Sequence, residues 1–95
     1  MGLRSLTAHY LINEKLSNNL PIDPVARFHL GNGAIVEQVH VQADNSDNGK
    51  LQSLGCMVNY LYDLEQVTKN HEEFVSEGKV MASREVKNLA KSFKI

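Results

Sequence analysis

His29 is the side chain whose position best suits acid–base chemistry. It stands in the stretch Asp23-Pro24-Val25-Ala26-Arg27-Phe28-His29-Leu30-Gly31-Asn32-Gly33-Ala34, which reads as a very short helix with both ends signalled. Asp23 is a good N-cap, and Pro24 fits the first helical position, where its missing N–H costs nothing. Gly31 is expected to take the left-handed conformation that closes the helix, with Asn32-Gly33 supplying the turn that follows. Val25, Phe28 and His29 then share one face, while Arg27 points elsewhere. On that reading His29 lies in the last turn, beside the negative end of the helix dipole. That place favours the imidazolium and suits a proton donor.

The other reactive side chains read more plainly. His9, His40 and His71 have no spacing that would build a metal site with one another or with carboxylates, so all three are surface or strand residues. Cys56, the single cysteine, lies in an apolar run without a neighbouring base and is a packing residue rather than a nucleophile. It also excludes an internal disulfide and any cysteine-based metal cluster. A histidine in an arbitrary chain is more often a partly buried residue satisfied by backbone. For His29, two long motifs shift that balance.

Asp-Pro-Val-x-x-Phe-His-Leu-x-Asn-Gly-Ala, residues 23–34, resembles the catalytic-histidine segment of the malonyl-CoA decarboxylases. Gly55-Cys56-Met57-Val58-Asn59-Tyr60-Leu61-Tyr62-Asp63-Leu64-Glu65 resembles a second block of that family, in the right order and at a fitting distance. The resemblance spans nearly the whole chain but only the C-terminal part of the family's catalytic domain. It implies decarboxylation of malonyl-CoA to acetyl-CoA and carbon dioxide, a step of fatty acid metabolism, with His29 as proton donor. The serine that works with it lies upstream of anything matched here. None of Ser5, Ser17, Ser46 and Ser53 falls in the family's serine motif.

The implied chemistry asks little of the protein. Loss of carbon dioxide from a malonyl thioester leaves electrons that the thioester carbonyl accepts as an enolate, so no cofactor and no metal is needed as electron sink. The site must stabilise that oxyanion and deliver one proton to carbon. The resemblance gives Tyr62 a lesser role in binding or orientation, against the plain reading of a strand tyrosine as a packing residue, which suits Tyr60. Asn32 and Asn59 are candidate donors to the thioester oxygen. The alternative for Asn32 is the turn itself, and for Asn59 a structural partner within an apolar strand. Gly31 departs from the family, which often carries a bulkier polar residue there. The second function carried by the same residues is a non-catalytic remnant that binds an acyl-CoA or a partner chain, and the third a truncated product without activity.

Composition bounds these readings. Ninety-five residues make at most one small domain, with 42% hydrophobic and 22% charged residues and a net charge of −1. Basic residues are scattered, so no stripe recommends nucleic acid. No apolar run approaches a membrane span, no signal-peptide core precedes the first helix, and the cytoplasm is the default compartment.

The positioning elements follow from periodicity. Leu3, Leu6, Tyr10 and Leu11 form a helical stripe over residues 3–16, with His9, Asn13, Glu14 and Lys15 on the wet side. Residues 34–43 alternate as a strand, with Ile35, Val39, Val41 and Ala43 on one face and Glu37 as the exception. A polar loop from Asp44 to Gly55 leads to a second strand, Cys56 to Leu64, in which Tyr60, Tyr62 and Leu64 share a face with Cys56 and Val58. Asn70-His71-Glu72-Glu73 has the form of a capping box for a short helix closed by Gly78. Ala82, Val86, Leu89, Ala90 and Phe93 mark the last helix, with Ser83 as cap and Lys91 and Lys94 at its end.

The result is an α+β piece, helix, short helix, two strands and two helices. The resemblance makes it the C-terminal fragment of an N-acetyltransferase-like acyl-CoA-binding fold, an incomplete domain over 1–95. Two strands are marginal alone, and their outer edges would carry unpaired backbone groups. The partners expected are therefore malonyl-CoA and either the missing N-terminal portion or a second copy of the chain, with no nucleic acid and no membrane.

Overall fold

A computed structural model describes residues 2–41, 52–53 and 56–93. The elements are α1 (Leu3–Asn13), α2 (Pro24–Gly31), β1 (Ile35–Val41), β2 (Gln52–Ser53), β3 (Cys56–Leu61), α3 (Val67–Glu77) and α4 (Arg84–Ser92). The α+β class holds. The sheet is antiparallel in the order β1-β3-β2, so a two-residue strand joins the two that were expected. Most of the polar loop, Asp44 to Gly49 included, lies outside the described residues, as does Lys94.

The core forms where α1 and α4 pack on one face of the sheet. Ala8 and Leu11 from α1 meet Val36, Val39, Cys56 and Val58 from the strands and Val86 and Ala90 from α4, all buried. The face of α1 differs from the expected stripe. Leu3 and Leu6 are exposed, while Ser5, Thr7, Ala8 and Leu11 turn inward. Polar residues can take that face because each finds a partner: Ser5 Oγ lies 3.1 Å from Ser92 Oγ, and Thr7 Oγ1 donates to Cys56 Sγ at 3.4 Å. His9, expected in water, packs against Phe93 with ring centroids 4.7 Å apart and planes tilted by 31°.

The alternation in β1 breaks at Glu37. Val36 faces Tyr60 of β3 and Gln38 faces Asn59, which leaves Glu37 as the extra residue of a β-bulge. Val36 and Val39 therefore both point into the core, and Val41 is 56% exposed rather than inward. The bulge is held from the side. Val36 N–H donates to the Met81 carbonyl (2.9 Å) and Ser83 N–H to the Val36 carbonyl (3.0 Å). Ser83 Oγ donates to the Glu37 carbonyl at 2.7 Å, and Arg4 Nε to the Val39 carbonyl at 2.7 Å. The outer edge of β1 is thus occupied along much of its length, contrary to the expected row of unpaired groups. On the other side of the sheet β2 pairs with β3 only at Cys56 and Met57.

Ser83 does two jobs, since its Oγ also accepts from Val86 N–H (3.2 Å) as the N-cap of α4. Ser83→Ala removes the cap and strands the bulge carbonyl. It is expected to cost about 1–3 kcal/mol, read as a lower denaturation midpoint with an unchanged slope. An unaltered midpoint would mean that the bulge is held without it.

The end of β3 and the start of α3 also differ from expectation. β3 stops at Leu61, and Leu64 is 90% exposed in a turn. α3 starts at Val67, without a side-chain cap, so Asn70 is an interior residue and not a cap. Asn70 is buried because its Nδ2 donates to the Gly33 carbonyl at 3.0 Å. Gly78 does close α3, in the left-handed region at φ 68°.

Candidate active site

The short helix that carries His29 forms as its ends require. Asp23 Oδ1 accepts from Val25 N–H (2.9 Å) and Ala26 N–H (3.0 Å), and Pro24 opens the helix. Ala26 and Leu30 face the core, and Phe28 is 65% exposed. Gly31 remains helical. The left-handed residue is Gly33, at φ 91°, two positions later than expected.

All four terminal carbonyls of α2 are occupied. Phe28 O accepts from Asn32 Nδ2 (2.8 Å), and His29 O from the Asn32 and Ala34 N–H groups (both 3.1 Å). Leu30 O accepts from Gly33 N–H (3.0 Å), and Gly31 O from His71 Nδ1–H (2.6 Å). The orphan acceptors that make a helix end attractive to a cation are therefore already satisfied. His71, read as a plain surface residue, is one of the groups that do this.

The His29 ring leaves α2 toward β3. It stacks on Tyr60 with centroids 4.4 Å apart and planes 18° apart, and it meets Tyr62 at 5.8 Å nearly edge-on. His29 Nδ1 and Tyr62 Oη are 2.6 Å apart. Burial against these rings lowers the His29 pKa below the usual 6.5, so the expected bias toward imidazolium does not appear. The cause is desolvation of the ring, which disfavours its charged form. Burial likewise raises Tyr62. Tyr60 is pushed further up by burial and then by the charges of Asp23 and Tyr62. Both phenols keep their protons. With His29 neutral, Tyr62 O–H can donate to Nδ1, which leaves Nε2–H as the ring's other donor.

The shift has a sign that can be tested. Between the lowered value and 6.5 the unfolded chain binds more protons at His29 than the folded one, so stability rises with pH across that window and falls on acidification. Titration of the His29 ring by NMR is expected to give a midpoint below 6.5. A midpoint above it would restore the dipole as the dominant influence.

These groups border a cleft of about 370 Å³ lined by His29, Glu37, Val58, Asn59, Tyr60 and Tyr62. Of the four residues singled out in the sequence, His29, Tyr62 and Asn59 meet there. Asn32 does not, since its amide nitrogen caps α2. Asn59 also has a neighbour across the sheet, its Nδ2 lying 3.3 Å from His40 Nε2. Glu37, Val58 and Tyr60 are the lining residues that the sequence did not assign to the site. The signal for Glu37 was its misfit to the alternation of β1. Tyr60 stands within the second motif and was read there as a packing residue, a role its stacking on His29 extends. Among the described residues no cluster of three or more histidines, cysteines or carboxylates could hold a metal, and no helix is long and apolar enough to cross a membrane.

The profile of the malonyl-CoA decarboxylase C-terminal domain matches residues 1–94. A malonyl-CoA decarboxylase structure from Agrobacterium vitis is similar at 49% identity and a TM-score of 0.79, over 92% of this chain and 21% of that one. One from Rhodopseudomonas palustris is similar at 45% and 0.78, over 90% and 21%. The mitochondrial malonyl-CoA decarboxylase of Rattus norvegicus is 37% identical over 91 residues, 96% of this chain and 18% of that protein. The chain thus spans about a fifth of the relatives it matches, in their C-terminal domain. It belongs to the malonyl-CoA decarboxylase family.

Proposed function

We propose that this segment supplies the proton donor and one wall of the substrate cleft of a malonyl-CoA decarboxylase, whose partner serine lies outside this chain. The observation that carries the reading is the His29–Tyr62 contact of 2.6 Å at the cleft, with the imidazole stacked on Tyr60. A ring held on one side by a phenol and on one face by an aromatic plane has a fixed direction for its remaining nitrogen.

The malonyl thioester loses carbon dioxide as the C–C bond electrons move onto the alpha carbon and into the thioester carbonyl. The enolate then takes one proton at carbon from the imidazolium form of His29, giving the acetyl thioester and the neutral ring, which solvent protonates again for the next turnover. A histidine with a lowered pKa is a stronger acid once protonated, and the developing enolate supplies the negative charge that draws a proton to it. Asn59 borders the cleft and can donate to the thioester oxygen, while Asn32 serves the turn behind His29. Tyr62 orients the ring, its oxygen accepting from Nδ1–H when the ring is protonated and its O–H donating to Nδ1 when it is neutral. No metal or organic cofactor enters this scheme.

Malonyl-CoA turnover decides the matter. It is to be measured on the chain alone and on the chain grafted in place of the matching segment of the Agrobacterium vitis enzyme. The chain alone is expected to be silent and the graft active. A graft that folds and binds acetyl-CoA but does not decarboxylate would instead favour the acyl-CoA-binding remnant.

A further inference from the structure

Glu37 is a half-buried carboxylate that the proposed chemistry does not use. A regular strand would pair it across β1–β3. The bulge withdraws it from that register, and the backbone of Met81 and Ser83, with the Ser83 hydroxyl, fixes the withdrawal through the three bonds at Val36 and Glu37 described above. Bulges commonly re-aim one side chain beside a site. Here the re-aimed side chain lines the same cleft as His29, Asn59 and Tyr62.

Among the described residues, none donates a hydrogen bond to its carboxylate and none forms an ion pair with it. It alone among the described lining residues carries a full charge when His29 is neutral. An ionised carboxylate accepts hydrogen bonds and cannot donate. In a site for an anionic malonyl group, that charge must face away from the substrate's own carboxylate, because like charges in a partly desolvated cleft repel strongly. A neutral donor can face it. A coenzyme A thioester carries one close by, the amide N–H two methylenes from the sulfur.

We infer that Glu37 accepts a hydrogen bond from this amide of the acyl-CoA arm and thereby sets the direction in which the thioester lies across His29. The inference rests on the reading of the cleft as an acyl-CoA site. Repulsion at one end and a hydrogen bond at the same end act together, so the malonyl head is placed away from Glu37 and the arm beside it.

The test pairs a substrate atom with a protein atom in the grafted full-length enzyme. The substrates are the N-acetylcysteamine thioester of malonate and its 2-acetoxyethyl counterpart, in which oxygen replaces the N–H. The wild-type segment is expected to prefer the amide by about tenfold or more in kcat/KM, the range for a hydrogen bond to a charged group. Glu37→Gln, which keeps an uncharged acceptor, should retain a smaller preference of about threefold. Glu37→Ala should bring the two substrates to within about twofold. A structural role for Glu37 would lower both rates together and leave their ratio unchanged, since each ratio is taken on one preparation. An unchanged ratio in Glu37→Ala, or no preference in the wild-type segment, overturns the inference. The corresponding acetyl thioesters, read as dissociation constants by NMR, give the same ratio without turnover. A binding preference that depends on Glu37 in a protein without decarboxylation would sink the enzymatic reading and uphold this one.

Discussion

Replacing His29 by asparagine in the grafted full-length enzyme is expected to reduce malonyl-CoA turnover about 10²–10⁴-fold, the usual worth of a positioned acid. Asparagine retains a polar group near Tyr62 Oη but has no proton that it can release at neutral pH. The loss should therefore fall on kcat, with KM changing much less, because Asn59, Tyr60 and Tyr62, which line the cleft, are left in place. Some stability will go with the ring, since it stacks on Tyr60 at 4.4 Å. Circular dichroism and a thermal melt must show a folded variant before the rate is read. Wild-type rates from His29→Asn would end the proton-donor assignment. So would a loss of activity that follows the unfolded fraction.

The part of this site that was legible in the sequence is the part fixed by local chemistry. Asp23 and Pro24 cap and start α2 by rules that need no tertiary partner, and both hold to the residue. The nearness of His29 to Tyr62 followed from two long motifs and not from periodicity, which cannot place one element against another. What the sequence did not disclose depends on contacts from afar. The bulge at Glu37 exists because residues 81–83 pair with β1 from the side, 46 positions away in the case of Ser83. The inward face of α1 is polar at Ser5 and Thr7 because Ser92 and Cys56 stand opposite. The His29 pKa moved against the dipole argument because burial against the Tyr60 and Tyr62 rings desolvates the imidazole, a contact that local sequence does not disclose.

The glycines of the turn after α2 separate the sequence reading from the structure most sharply. If Gly31 were the left-handed residue, as its place after the helix suggested, Gly31→Ala would be the damaging change. In the structure Gly31 is helical and an added Cβ would meet only Phe74 Cε2 at 3.9 Å, an ordinary contact. Gly31→Ala is therefore expected to be neutral or to stabilise by about 0.5–1 kcal/mol through helix propensity. Gly33 stands at φ 91°, and its added Cβ would run into the Val67 carbonyl oxygen and lie 2.8 Å from Val67 Cγ1. The left-handed backbone costs about 1–3 kcal/mol for a residue with a side chain, and the overlap about 1–3 kcal/mol more. Val67 opens α3, so the strain cannot be relieved without moving the helix whose Asn70 holds the Gly33 carbonyl and whose His71 holds that of Gly31. Those two bonds join α3 to the end of the helix that carries His29. Gly33→Ala is thus expected to lose about 2–6 kcal/mol, a large fraction of what a small domain has, and to lower the melting temperature by more than about 10 °C. Thermal melts of both variants beside the parent decide it: a Gly33→Ala protein as stable as the parent, or Gly31→Ala as the worse of the two, would return the left-handed position to Gly31.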